Sequence, residues 1–203
     1  MKSLLSLNLP KELIPSAKVD ELPEETWSGS VVFLFVRDHI LLIKRSESMP
    51  SHSGQIAFVG GHKLAQETPW ATAKREFEEE TGLSSEKLMF IGLLDMVKTA
   101  SQSLISPNLC YFDMDPQLFI KSVKSNGEWS EAILLPFESL QNLKLWTSAK
   151  SLRRGSENLI LFYPIMRGCY ISYSGDNEKD HLLWGATAKM IWNFFNFYTI
   201  GDL

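Results

Sequence analysis

Residues 61 to 83 read Gly61-His62-Lys63-Leu64-Ala65-Gln66-Glu67-Thr68-Pro69-Trp70-Ala71-Thr72-Ala73-Lys74-Arg75-Glu76-Phe77-Glu78-Glu79-Glu80-Thr81-Gly82-Leu83. Thr68 and Pro69 mark a helix start: a hydroxyl cap, then a ring that fixes φ where no N–H is needed. Gly82 marks the stop, because it enters the left-handed region without a Cβ penalty. The segment between them is predicted to be a helix ending near Thr81. On it Glu76, Glu79 and Glu80 stand at i, i+3 and i+4, within a sector of roughly 100°. Ala73 and Phe77 point away from that sector, toward a core. Three carboxylates on one face repel by a few tenths of a kcal/mol per pair even on an exposed helix. A hard divalent cation such as Mg²⁺ or Mn²⁺ offsets that repulsion, and carboxylate oxygens suit it better than a thiolate-loving metal. A bare Glu-x-x-Glu-Glu is more often a solvated acidic face, so the surrounding residues decide its meaning.

Upstream, Val31 to Val36 is a continuous apolar run, Arg37-Asp38-His39 turns, and Ile40 to Ile43 returns. Continuous runs fit strands covered on both faces, hence a sheet with helices on both sides. Residues 46 to 57 read as a loop with Pro50 and Gly54, ahead of Ala57-Phe58-Val59 and Gly60-Gly61. Residues 1–28, punctuated by Pro10, Pro15 and Pro23, read as an arm or short helix lying on a domain that spans 29–203. Downstream, Leu88 to Leu94, Leu109 to Phe112, Ala132 to Leu135 and Leu159 to Tyr163 read as strands. A short helix is expected near Glu138 to Asn142 and a last one over Trp184 to Tyr198. The mixture indicates one α/β domain, with a mixed sheet between helix layers.

The composition agrees with a soluble globular chain: 203 residues, 44% hydrophobic and 22% charged, with a net charge of −4. No basic tract offers a nucleic acid an electrostatic footprint. No apolar run is long enough to span a bilayer, and Met1 to Pro10 is too short and polar for a signal-peptide core. Cys110 and Cys169 form no CxxC pair and read as small core residues, which points to a reducing, cytoplasmic setting.

The 61–83 stretch fits Gly-x5-Glu-x7-Arg-Glu-U-x-Glu-Glu-x-Gly-U, with U a bulky apolar residue, at every fixed position. It resembles the Nudix box. The resemblance implies a Nudix fold and hydrolysis of a nucleoside diphosphate linked to another group. It implies that the Gly61 carbonyl, Glu76, Glu79 and Glu80 hold Mg²⁺ or Mn²⁺. It gives Glu76, Glu79 and Arg75 catalytic roles, and makes Glu67 and Arg75 the groups that orient the carboxylates through charge-assisted hydrogen bonds. Which glutamate takes the proton stays open. A non-catalytic ligand-binding module on the same fold would be expected to lack one or more of these glutamates, and all are present.

The flanks narrow the substrate. Leu41-Leu42-Ile43-Lys44-Arg45-Ser46 and His52-Ser53-Gly54-Gln55-Ile56-Ala57-Phe58-Val59-Gly60-Gly61 resemble the signature of the coenzyme A pyrophosphatase branch. So do Gly92 to Asp95, Leu135-Pro136 and Leu183 to Ala188. The resemblance implies coenzyme A or an acyl-CoA as substrate, cleaved to 3′,5′-ADP and (acyl-)4′-phosphopantetheine, with Arg45, His52 and Gln55 as substrate contacts. ADP-ribose, NADH and NDP-sugars are the alternatives. Three positions depart from the branch: Pro50 replaces Arg, Ile43 replaces Thr and Val59 replaces Pro. The first matters most, because a guanidinium suits phosphate and proline offers no donor.

His39 reads as a hairpin-turn residue and His62 as exposed. The last helix carries Leu183, Ala186, Met190, Phe194 and Phe197 on one stripe, with Trp192, Phe195 and Tyr198 on other sides. A helix apolar all round is either deeply buried or part of an interface such as a homodimer's.

Overall fold

The computed structural model describes residues 27–141, 146–150, 162–172 and 179–198. Nearly all of the expected 1–28 arm lies outside them. The two apolar runs form an antiparallel hairpin, β1 (Gly29–Val36) and β2 (His39–Arg45). After the serine-rich loop come β3 (Ile56–Ala57) and β4 (Val59–His62), with Gly60 opposite Val31 and Gly61 opposite Ser30 of β1. The helix α1 spans Pro69–Thr81, as its caps predict: the Thr68 side chain accepts from Ala71 N, and Gly82 has φ 68°.

The strands β5 (Met89–Leu93), β6 (Val97–Lys98) and β7 (Leu104–Phe112) follow, then helix α2 (Pro116–Ser122) and β8 (Trp129–Pro136). The chain continues through β9 (Trp146–Lys150), β10 (Phe162–Ser172), β11 (Lys179–Leu183) and helix α3 (Gly185–Tyr198). The main sheet path is β11-β10-β8-β2-β1-β7-β5. β1 and β7 run parallel, from Gly29 beside Ile105 to Val36 beside Phe112, whereas β2, β8, β10 and β11 pair antiparallel.

β7 begins at Leu104, earlier than the apolar run at Leu109 suggests. Pro107 breaks the sequence signal, but its carbonyl still accepts from Leu94 N at 3.0 Å. The expected helix near Glu138 is a 3-10 turn over Phe137–Gln141. The strand expected over Leu159 to Tyr163 is seen from Phe162, and its first residues lie outside the described ones.

The sheet buries a core on each face, as continuous apolar strands require. On one face Val32, Leu34, Val36, Leu41 and Ile43 meet Ala73 and Phe77 of α1 and Phe119 of α2. On the other, Phe33, Phe35, Ile40 and Leu42 meet Ile191 and Phe194 of α3. This is the α/β architecture, a mixed sheet between helix layers. α3 is deeply buried: Ile191, Phe194 and Phe195 are all in the core, and Trp192 packs on Trp146 at 5.0 Å. Cys110 is a buried core residue, as expected, while the Cys169 side chain lies outside the described ones.

Candidate active site

The site is built where α1 crosses β4. Ala73 and Phe77, both fully buried, seat α1 on the sheet, and the adjoining face with Glu76 and Glu80 meets Gly61 and Gly60 of β4. Gly61 is a glycine for lack of room. A Cβ there would stand 2.5 Å from Glu76 Cδ and 2.7 Å from Glu76 Oε2. The carboxylate of Glu76 therefore lies directly on the β4 backbone.

Arg75 organises the acids. Its Nε donates to Glu67 Oε1 at 2.8 Å and its Nη2 to Glu67 Oε2 at 3.1 Å. Nη1 donates to Glu76 Oε1 at 2.8 Å and to Glu79 Oε2 at 3.1 Å, and Nη2 donates also to the His62 carbonyl at 3.0 Å. A guanidinium has five N–H donors, and all five are used. Glu67 is saturated in turn: Oε2 also accepts from Leu64 N at 2.9 Å and from the Thr72 hydroxyl at 2.7 Å. The arginine holds the Glu67 carboxyl down at about 2, and Glu67 raises Arg75 further above its ordinary value. The pair is permanently ionised.

Glu80 differs from what helix periodicity suggests. It shares a face with Glu76 but is 1% exposed, so it lies at the core margin. Its Oε2 accepts from Gly60 N at 3.0 Å, and its main-chain oxygen accepts from Trp129 Nε1 at 2.7 Å. Burial pushes its carboxyl up to about 8; the Gly60 N–H opposes that rise, and the charges of Glu76 and Glu128 add to it. Burial also raises Glu76, against the pull of Arg75. Glu79 is about half exposed at the rim.

The donors are all hard oxygens, and two of them are carboxylates whose ionisation burial opposes. Both facts fit a divalent cation, which would restore the ionised form. Among the described residues no three His, Cys, Asp or Glu side chains converge as a closed cage. Glu76 and Glu79 are drawn instead to one guanidinium nitrogen. The Gly61 carbonyl oxygen lies close to Gly29, where an added Cβ would stand 2.6 Å from it.

Of the expected substrate contacts, Arg45 ends β2, and His52 and Gln55 lie on the loop from β2 to β3, whose ends are tied by Arg45 N to Gln55 O at 2.9 Å. Arg45 adjoins the acids closely enough to lower Glu80, and its Nε is enclosed without a hydrogen-bond partner. His52 and Gln55 contact each other, Nδ1 to Oε1 at 3.1 Å, and His52 holds φ at 56°. Pro50 is exposed on the same loop, and His62, the last residue of β4, is exposed too. His39 opens β2 and meets Asp38 at 2.8 Å.

Sequence reasoning missed Thr72, Glu128 and Trp129. Thr72 was legible, one helical turn before Glu76. The other two stand far along the chain, and no spacing points to them.

A NUDIX domain model matches residues 26–156. Among curated proteins, the chain is 28% identical over 153 residues to "Uncharacterized Nudix hydrolase NudL" of Photorhabdus laumondii, covering 75% of this chain and 73% of that one. It is 27% identical to "Nudix hydrolase 3" of Caenorhabditis elegans, covering 63% of this chain and 56% of the worm protein's length. Among solved structures, it resembles a MutT/nudix family protein from Enterococcus faecalis at 17% identity and a TM-score of 0.48, over 86% of this chain and 63% of that one.

Proposed function

The chain belongs to the Nudix family of pyrophosphatases, and from that premise we propose that it hydrolyses the pyrophosphate bond of coenzyme A or an acyl-CoA with Mg²⁺ or Mn²⁺ bound at Glu76, Glu79, Glu80 and the Gly61 carbonyl. The observation that carries this reading is the placement of Glu76 and Glu80 against β4. Two partly or wholly buried carboxylates meet the Gly60-Gly61 backbone, where burial opposes the charge that a cation would stabilise.

A pyrophosphate repels a nucleophile, and a divalent cation neutralises that charge and lowers the pKa of a bound water. The residues of the chain do the rest. Arg75, locked by Glu67, fixes the carboxylates of Glu76 and Glu79. Glu76 or Glu79 receives the proton of the attacking water. Arg45, at the end of β2 beside Glu80, donates to a phosphate of the substrate; His52 and Gln55 on the loop that follows complete the contact.

The coenzyme A assignment rests on the resemblance of 41–61 to that branch. Pro50 favours a second reading, because the loop presents no donor there and a substrate without the 3′-phosphate needs none. ADP-ribose, NADH and NDP-sugars are those substrates. The test is a panel of coenzyme A, acyl-CoA, dephospho-coenzyme A, ADP-ribose, NADH and an NDP-sugar, with Mg²⁺ or with chelator. Release of 3′,5′-ADP from coenzyme A is the expected result. Turnover confined to ADP-ribose, NADH or an NDP-sugar selects the second reading, and no metal-dependent turnover of any member rejects both.

A further inference from the structure

We infer that Asn108, on β7 and outside the 61–83 motif, is a positioning residue for the cation site: with Ser30 it fixes the stretch of β1 from which Gly60 and Gly61 hang. The inference rests on reading that site as a divalent-metal centre.

The two glycines take their place from β1. Gly61 pairs with Ser30 and Gly60 with Val31. β4 is pressed onto β1 there, since a Cβ at Gly60 would stand 2.6 Å from Val31 Cα. The acids in turn lie on the glycines: Glu80 Oε2 accepts from Gly60 N, and the Glu76 carboxylate lies against Gly61. A shift of β1 along its axis would therefore carry the β4 backbone away from both carboxylates.

On its other edge β1 runs parallel to β7, with Ser30 beside Ser106 and Val32 beside Asn108. The side chains of Ser30, Ser106 and Asn108 are fully buried on the α1 side of the sheet. Ser30 Oγ donates to the Ser106 carbonyl at 3.0 Å, so toward Asn108 it accepts. Asn108 Nδ2 donates to Ser30 Oγ at 2.6 Å and to the Val31 carbonyl at 3.1 Å, with a longer contact to the Ser106 carbonyl at 3.3 Å. These partners are all acceptors, which settles the orientation of the amide. One side chain of β7 thus grips the two β1 residues that face Gly61 and Gly60.

The cluster is costly. Asn108 Oδ1 and Ser106 Oγ are enclosed and find no partner among the described residues. Val32, Leu34 and Cys110 share that side of the sheet, and a partly satisfied polar cluster is less stable there than apolar side chains of like shape. What it supplies is register. β1 and the far half of β7 are apolar on both faces, so a slip would still bury apolar side chains, whereas the Ser30–Asn108 bond forms in one alignment only.

The test uses the purified full chain, unmodified and as Ser30→Ala/Asn108→Leu, Ser30→Thr, Ile133→Val and Glu80→Gln. Mn²⁺ affinity is read from the EPR signal of free Mn²⁺ at a temperature where every variant is folded. Amide exchange at Gly60 and Gly61 is read in chelator. The double variant is expected to melt no lower than the parent, to exchange faster at both glycines and to bind Mn²⁺ about tenfold or more weakly, the scale seen when groups supporting metal ligands are lost. Ser30→Thr keeps the hydroxyl and should bind as the parent does. Ile133→Val thins the core on the opposite face, and should lower the melting temperature without changing Mn²⁺ affinity. Unchanged Mn²⁺ affinity in the double variant, alongside loss in Glu80→Gln, overturns this inference and leaves the metal centre standing. Equal loss of affinity in Ile133→Val also overturns it, because general loosening then explains the effect. Absence of Mn²⁺ binding by the unmodified chain overturns the metal-centre reading itself, and this inference with it.

Discussion

Arg75 and Glu67 meet fork to fork, with Nε to Oε1 at 2.8 Å and Nη2 to Oε2 at 3.1 Å. The remaining donors of Arg75 reach Glu76, Glu79 and the His62 carbonyl, so none is left for a substrate. A lysine cannot reproduce this, because its ammonium has three donors and no planar fork. Arg75→Lys is therefore expected to behave almost like Arg75→Ala. Both should weaken the apparent Mg²⁺ affinity by about 10–100-fold, with a smaller change in KM. Steady-state kinetics across a Mg²⁺ titration check this. A pure KM effect would show that the arginine contacts substrate.

Glu80→Gln should remove at least about a hundredfold of the activity, by analogy with other losses of transition-state charge stabilisation. The same variant should fold as well as the parent without metal, because an amide oxygen can still accept from Gly60 N. Thermal melts in chelator, paired with turnover in Mg²⁺, separate the two effects. A large drop in melting temperature would make Glu80 a structural residue.

The pH dependence of the metal-free protein follows from the same side chain. Its carboxyl stands near 8 when folded, against an ordinary 4.5. The folded state therefore holds a proton that the unfolded chain has lost between those values. The stability it contributes is fully present below about 4.5 and declines as pH rises through about 8. Cation binding needs the ionised form, so Mg²⁺ affinity should rise over the same interval. Glu76 shifts in the same direction, also through burial. Melting temperatures in chelator from pH 5 to 8.5 should fall less steeply in Glu80→Gln than in the parent. Parallel curves would contradict the assignment.

Trp129→Phe keeps most of the ring but leaves the Glu80 carbonyl without its indole donor. An unsatisfied buried acceptor costs about 1–3 kcal/mol, so denaturant unfolding should show a loss of that size. Because that bond holds the turn carrying Glu79 and Glu80, the Mg²⁺ requirement should rise as well. Unchanged stability would mean that water replaces the indole.

Pro50 offers no donor on a loop where the similar branch has arginine. Coenzyme A is expected to be turned over with little preference over its dephospho form. A charge-assisted bond to phosphate contributes roughly 1.5–3 kcal/mol, so Pro50→Arg should raise that preference by about one to two powers of ten. The comparison uses kcat/KM for both substrates at fixed Mg²⁺ and ionic strength. Strong preference for coenzyme A in the unmodified chain would assign the 3′-phosphate contact to another residue such as Arg45.

α1 and its boundaries were legible in the sequence because each signal is local: Thr68, Pro69 and Gly82 act within one turn. The two-sided burial of the sheet was legible from the unbroken runs in β1 and β2. α2 was not, although Asp115 and Pro116 repeat the same start signal. At seven residues it is too short to show a period, and Leu118 is exposed on it. The burial of Glu80 was also hidden. Helix spacing places it beside Glu76, but β8 returns alongside α1 and brings in Trp129, 49 positions away. Contacts at that separation leave no local pattern.

The two cores divide the labour of the molecule. The glutamates proposed to hold the cation stand on α1, over the core that holds Ala73 and Phe77. The core beneath α3, with Phe33, Phe35 and Phe194, lies on the reverse of the sheet. Damage to the α3 side should therefore reduce how many molecules are folded while each survivor works at full speed. Damage to the α1 side should leave folded molecules that work badly. Loss-of-function variants of this chain would then sort into a dosage class and a competence class, according to which way a side chain points from a single strand such as β1.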